Sequence, residues 1–366
     1  MKEKKFIASN QFTALVFIFS IGSTVVITPP FLILFAKQSL WIAGVGAIIV
    51  GGGFAWLFGK IVEKNPEMTL IEMLKATFGP YIGGFIGFVY LLYMFLLATF
   101  LLNNISNFMA IQIMPETPIN WTQGLMILAV MYALFLGIEV VARTAEIFLP
   151  WIVIPFILLI LLNIPQMKLQ QMLPLYDYNL DGVIQSAAYF VVNPYLELIF
   201  LLMITPHLKR VKEVKKGLLI GSALAGASIT ILSVACILAL GIDVASINLY
   251  PTYLLGKLIS FGSFIQHIEV LVAIIWMLSI FFKISIIFYG LQKGLAQLFQ
   301  LRNERFLIVP LGLLISGAAY YMVPDYAYFA EFLVQEWSIY MVILGAIFPM
   351  LLFVFLRIQQ KVHEMI

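Results

Sequence analysis

Asn193-Pro194-Tyr195-Leu196-Glu197 stands about ten residues into an apolar run covering 184–204. Pro194 removes a backbone donor and disfavours helical conformation at Asn193, so a helix that starts before this stretch is interrupted within it. A second apolar run, 12–35, is interrupted at similar depth by Gly22-Ser23-Thr24. In hydrocarbon an unpaired backbone group costs several kcal/mol, so a helix breaks only where the freed groups face protein, a water-filled cavity or a ligand. Two breaks at matching depth mark a small-solute site near the bilayer midplane.

The rest of the chain supports a membrane setting. Of 366 residues, 63% are hydrophobic and 11% charged, with mean hydropathy +1.04, well outside the balance of a soluble domain. Runs long enough to cross a bilayer, about 20 residues each, fall at 12–35, 42–61, 82–110, 121–138, 146–163, 184–204, 217–240, 264–292, 306–323 and 338–356. Lys2, Lys4 and Lys5 precede the first run, but no small-residue cleavage site follows, so this span is expected to be retained. Placing Lys and Arg on alternating sides puts seventeen on one face, five of them between Lys209 and Lys216, against Lys37, Lys168 and Lys257 on the other. The positive-inside rule then sets both termini in the cytoplasm. The net charge of +3 reflects these anchoring loops and does not indicate nucleic-acid binding. Cys236 is the only cysteine, which excludes a disulfide framework and a cysteine metal site.

Ten spans divide into two sets of five, and because five is odd, the sets enter the membrane from opposite sides. The expected fold is therefore all-α, with five-helix repeats at 12–163 and 184–356 in inverted orientation, each opened by an interrupted helix. Thr69 and Glu72 form a capping-box pattern ahead of Met73, Leu74 and Phe78, and Gly79-Pro80 ends the segment, which predicts a short helix lying at the cytoplasmic interface. The outer segments 165–182 and 241–263, with Pro165, Pro174, Pro251 and several tyrosines, read as ordinary loops or as partly ordered lids over a cavity.

Each break carries chemistry. Gly22 permits non-helical backbone, Ser23 and Thr24 can cap the second half-helix, and Pro29-Pro30 removes two more donors. The positive end of a half-helix suits a ligand carboxylate; small residues for close helix packing are the alternative. Asn193 can satisfy a freed carbonyl or contact a ligand. Glu197, deep in a span, can accept a ligand ammonium, pair with a lysine or be protonated. Its candidate partner is Lys283, inside the eighth span between Ser279 and Ser285. That lysine either stands in for a coupling cation, pairs with Glu197, or extends to the cytoplasmic interface. Tyr90, Tyr93, Leu97 and Thr99 lie near the centre of the third span, and Tyr93 and Leu97, four apart, share a face. Glu139, Arg143 and Glu146 suit a salt-bridge network at a helix boundary. His207, His267 and His363 lack ligand spacing, Glu269 is a local partner for His267, and no HExxH, Walker or GxSxG motif occurs. An enzymatic reading has little support.

Taken in order, the basic N-terminus, the Gly22–Pro30 break, Thr69 to Gly79-Pro80, Leu173-Pro174 with Gly182, Glu197 to Pro206-His207 and its basic run, and Pro324-Asp325 resemble the B subunit of bacterial spore germinant receptors. That resemblance covers nearly the whole chain. It implies the amino acid/polyamine/organocation superfamily, with helices one and six unwound around a substrate, and a protein of the spore inner membrane that binds a nutrient such as an amino acid. It further implies partnership with an A membrane subunit and a C lipoprotein, and no cofactor. Carried onto this chain, the ligand site comprises Gly22, Ser23, Thr24, Tyr93, Leu97, Asn193, Pro194, Tyr195 and Glu197, with Lys283 nearby. Two departures stand out: no second glycine follows Gly22, and Pro194 sits at the second break. A nutrient sensor, a secondary transporter and a channel all remain compatible with these residues.

Overall fold

The computed structural model describes residues 6–174, 179–208, 210–259, 268–322, 332 and 336–365. The predicted Pro324-Asp325 turn, His267 and the N-terminal lysines lie outside them. Among the described residues eight helical runs, of 18 to 41 residues, are long and apolar enough to cross a bilayer. Ten spans were expected. The difference arises because helix α1 (Ser9–Ile21) and the later Ile308–Tyr321 helix have only 13 and 14 residues. In addition, α2 (Thr24–Ala36) continues through a 3₁₀ turn into α3 (Leu40–Lys64) as one 41-residue run.

The chain then forms α4 (Leu70–Phe78), α5 (Pro80–Phe108), α6 (Ile119–Leu136), α7 (Ile138–Asn163) and α8 (Leu180–Phe190). After an irregular segment come α9 (Val211–Leu240), the short α10 (Ile242–Ile247) and α11 (Pro251–Lys257), α12 (Val270–Leu298) and α13 (Ile308–Tyr321). A last stretch runs from Glu336 to Met365 with a π-helical turn at Ile343–Ile347. α1 packs on α9 and α7, α3 on α9, and α12 on α5 and α7. Small residues make the close approaches possible: a Cβ on Gly217 or Gly221 of α9 would sit 2.7 Å from Phe12 or Val16 of α1. The bundle is also tied at one end, where the Ile7 amide donates to the His207 carbonyl at 2.9 Å.

α4 forms by the expected device. The Glu72 amide donates to Thr69 Oγ1 and the Thr69 amide to Glu72 Oε2, and Gly79 turns the chain with φ +84°. Its apolar face packs inward. Leu70, Ile71, Met73 and Leu74 are all fully buried against protein, and Thr69 Oγ1 reaches Gln297 Oε1 of α12 at 2.8 Å. The apolar face is thus covered by the bundle. Thr69→Ala, which loses the cap and the α12 contact, is expected to cost roughly 1 kcal/mol, read as a lowered melting temperature of the purified protein.

In segments 165–182 and 241–263 the described residues pack onto the bundle. Lys168 N donates to the Leu238 carbonyl at 2.8 Å, and α11 is wedged among α2, α9 and α12 with Thr252, Tyr253 and Leu255 buried. Phe108 meets Tyr250, Tyr253 and Trp276 edge-on, closing that end of the bundle with aromatic rings.

Candidate ligand site between the interrupted helices

Gly22 and Ser23 separate α1 from α2, yet their dihedrals stay right-handed, with φ −43° and −97°. Gly22 is therefore not needed for unusual backbone, contrary to the sequence expectation. It is needed for room: a Cβ there would lie 2.8 and 2.9 Å from Lys283 Cδ and Cβ and 3.2 Å from the Ser279 carbonyl. Ser23 occupies the N-cap position of α2 without capping it. Its hydroxyl instead receives the Lys283 ammonium at 2.8 Å.

At the second interruption α8 gives way to a π-helical turn, Val191–Tyr195, and then to tighter 3₁₀ helix, Leu196–Met203. Pro194 supplies no N–H to the ladder, and the Asn193 side-chain amide donates to the Tyr189 carbonyl at 2.9 Å, one of the two roles expected of it. Glu197, just past the wide turn, meets Lys283 Nζ at 2.5 Å, with both side chains almost wholly buried. Glu197 Oε2 has this ion pair but no directed hydrogen bond. Nζ also lies 5.2 Å from the Phe19 ring centre. Lys283 does not extend to an interface; it bridges the two interruptions from α12. Removing either charge of such a pair typically costs 3–5 kcal/mol.

Beside this bridge is a narrow cavity of about 30 Å³, bounded by Ser23 and Thr28, by Leu97 and Asn104 of α5, and by Asn193 and Glu197. Phe100, Tyr189 and Trp337 close its sides. A drug-sized ligand needs some 300 Å³ or more, so in this arrangement the cleft admits little beyond water. Of the residues expected at the site, Ser23, Leu97, Asn193 and Glu197 reach the cavity. Tyr93 lies behind it, stacked at 4.1 Å on Trp337 and at 5.6 Å on Phe200. Tyr90 donates to the Leu344 carbonyl, away from the cleft. Thr24 and Pro194 are buried off the cavity wall. Tyr195 points elsewhere altogether, its ring filling a slot left by Gly51 of α3 and Gly226 of α9.

Sequence reasoning missed Asn104, Thr28, Phe100, Tyr189 and Trp337. The adjacent amides Asn103 and Asn104 inside an apolar span carried a usable signal; the aromatic residues carried none. It also missed a relay away from the cavity, in which His207 Nδ1 meets Glu139 Oε1 at 2.9 Å and Nε2 meets Tyr289 Oη at 2.8 Å. Glu146, expected beside Glu139 in one network, instead accepts from Asn10 of α1.

Solved structures share the fold. MhsT in complex with L-phenylalanine superposes with TM-score 0.68 over 97% of this chain and 96% of its own, at 13% identity. Mhp1, a nucleobase-cation-symport-1 family transporter in a closed conformation with bromovinylhydantoin bound, gives 0.66 over 90% and 75%, at 10% identity. Long apolar helices in this fold define an integral membrane protein. More narrowly, the chain belongs to the spore germination protein family, whose profile matches residues 6–327. It is 26% identical to spore germination protein KB of Bacillus subtilis (strain 168) over 314 residues, 85% of this chain and 83% of that protein. With spore germination protein XB of Bacillus anthracis it shares 26% over 230 residues, 63% of this chain and 64% of that one.

Proposed function

We propose that this protein is the nutrient-sensing subunit of a spore germinant receptor and takes a small solute, an amino acid or similar, into the cleft between its two interrupted helices. The observation that carries this reading is the Lys283 bridge, a cation from α12 joined to Ser23 at one interruption and to Glu197 at the other. A ligand that opens the 30 Å³ cleft must separate these two segments, and that motion is the signal. The ligand contacts are Ser23, Leu97, Asn193 and Glu197. Tyr93 backs the cavity wall through Trp337, Gly22 leaves room for the Lys283 stem, and Thr24, Pro194 and Tyr195 belong to the moving segments without facing the cleft. Lys283 takes the place of a coupling metal cation, so binding proceeds without sodium.

In this reading the chain crosses the membrane ten times, α1 with α2 counting once and α13 counting as the ninth, with both termini cytoplasmic. Its repeats, 12–163 and 184–356, are inverted. Two pairings support this: α3 packs on its counterpart α9, and α5 on its counterpart α12, as an approximate two-fold axis in the membrane plane requires. The A membrane subunit and C lipoprotein of the receptor, in the spore inner membrane, read the motion.

A secondary transporter working by alternating access is the second reading, favoured by the transporter fold itself. Uptake of radiolabelled amino acids by vesicles holding this protein alone separates the two. Binding without accumulation is the expected result, whereas concentrative uptake would make it a transporter.

A further inference from the structure

Asn104 is buried in α5, 3% exposed, and its side-chain oxygen has no hydrogen-bond partner. Its neighbour Asn103 has a structural explanation: it donates to the Ala319 carbonyl at 2.7 Å and accepts from Asn107 at 2.7 Å. Asn104 has none of these contacts, and it lines the same cavity as Glu197. A buried acceptor left without a donor is costly, and native structures keep one where something else supplies the donor. Glu197 Oε2, held by Lys283, likewise lacks a directed hydrogen bond. The cavity thus offers two acceptors, while its one nearby cation is already shared between Ser23 and Glu197.

We propose that Asn104 is a specificity-determining residue, accepting a hydrogen bond from an amine or ammonium group of the ligand while Glu197 faces the same group across the cavity. This rests on the cleft being the ligand site. It narrows the solute class to compact amines whose remaining surface packs on Phe100, Tyr189 and Trp337. A cation near these aromatic faces gains further attraction. A site with an unpaired acceptor at Asn104 rejects analogues that bring no donor, because that acceptor then stays buried and unpaired.

The test uses the purified full-length chain in lipid nanodiscs. The twenty standard amino acids are screened by thermal stabilisation, and the tightest binder is compared with its deamino acid, in which hydrogen replaces the amine. Wild type is expected to prefer the amine by about tenfold or more. Asn104→Leu is expected to erase most of that preference by weakening only the amine, and Asn104→Asp to retain it. Unchanged preference in Asn104→Leu overturns the proposal, as does equal weakening of both ligands, the mark of a purely structural asparagine. If wild type binds amine and deamino acid equally, the proposal fails while the ligand site stands. If no amino acid stabilises wild type, the amino acid reading of the site fails with it.

Discussion

Lys283→Met is expected to lower stability by about 3–5 kcal/mol, because it strands the Glu197 carboxylate in a dry interior. Glu197→Gln should also destabilise, leaving a buried ammonium with neutral acceptors, Ser23 and the new amide oxygen, but no countercharge. The double variant Glu197→Gln/Lys283→Met removes both charges and is expected to recover most of the loss, since a buried pair replaced by neutral groups of similar volume is often near neutral. Folded yield by size exclusion and melting temperature in detergent check this across the three variants. If the single variants are as stable as the double, the two side chains are not coupled as charges. A germination defect in Glu197→Gln alone therefore says little about ligand contact until protein levels are matched.

The second large effect is at Gly22. A methyl group there would press on the Lys283 stem at 2.8 Å and on the Ser279 carbonyl at 3.2 Å. The stem is fully enclosed, so it can yield only by drawing the ammonium away from Ser23 and Glu197. Overpacking of this kind costs about 1–3 kcal/mol for Gly22→Ala, and Gly22→Leu should prevent folding of the native cleft. The coupling is specific: in the Glu197→Gln/Lys283→Ala background the Cδ contact is gone and only the Cβ at 2.9 Å and the Ser279 carbonyl remain, so Gly22→Ala should cost less. Melting temperatures of the four proteins give this cycle directly. An equal cost in both backgrounds would mean that Gly22 serves helix packing and has no part in seating the lysine.

The membrane class was legible from the apolar runs, and the positions of both interruptions and of the buried Glu197 and Lys283 because each violates the apolar pattern around it. A proline, a glycine or a charge in a hydrophobic run is a local signal. The reason for Gly22 was not local, since it depends on a lysine more than 250 positions later whose stem crosses the break. Tyr195 misled for the same reason. Its position in the interrupted segment pointed to the cleft, but Gly51 and Gly226 on other helices opened a slot that draws its ring the other way. Trp337 and Tyr189 could not be separated from ordinary aromatic packing by sequence, because only the three-dimensional crossing of α5, α8 and the last helical stretch brings them to one cavity. For α4 the cap was readable and its cover was not. The capping box is written in four residues, whereas burial of its apolar face requires the rest of the bundle.

Thiol labelling tests directly whether ligand occupies the cleft bounded by Ser23, Leu97 and Glu197. Cys236 is the only cysteine and is fully buried, so the native chain offers a low background for thiol labelling. Leu97→Cys places one thiol on the cavity wall. Its labelling by a small methanethiosulfonate reagent is to be timed in nanodiscs, with and without the tightest-binding amino acid. This amino acid is expected to slow labelling of the Leu97→Cys variant in sodium-free buffer. Binding that persists while the labelling rate stays unchanged would put the ligand elsewhere and contradict the cleft as its site.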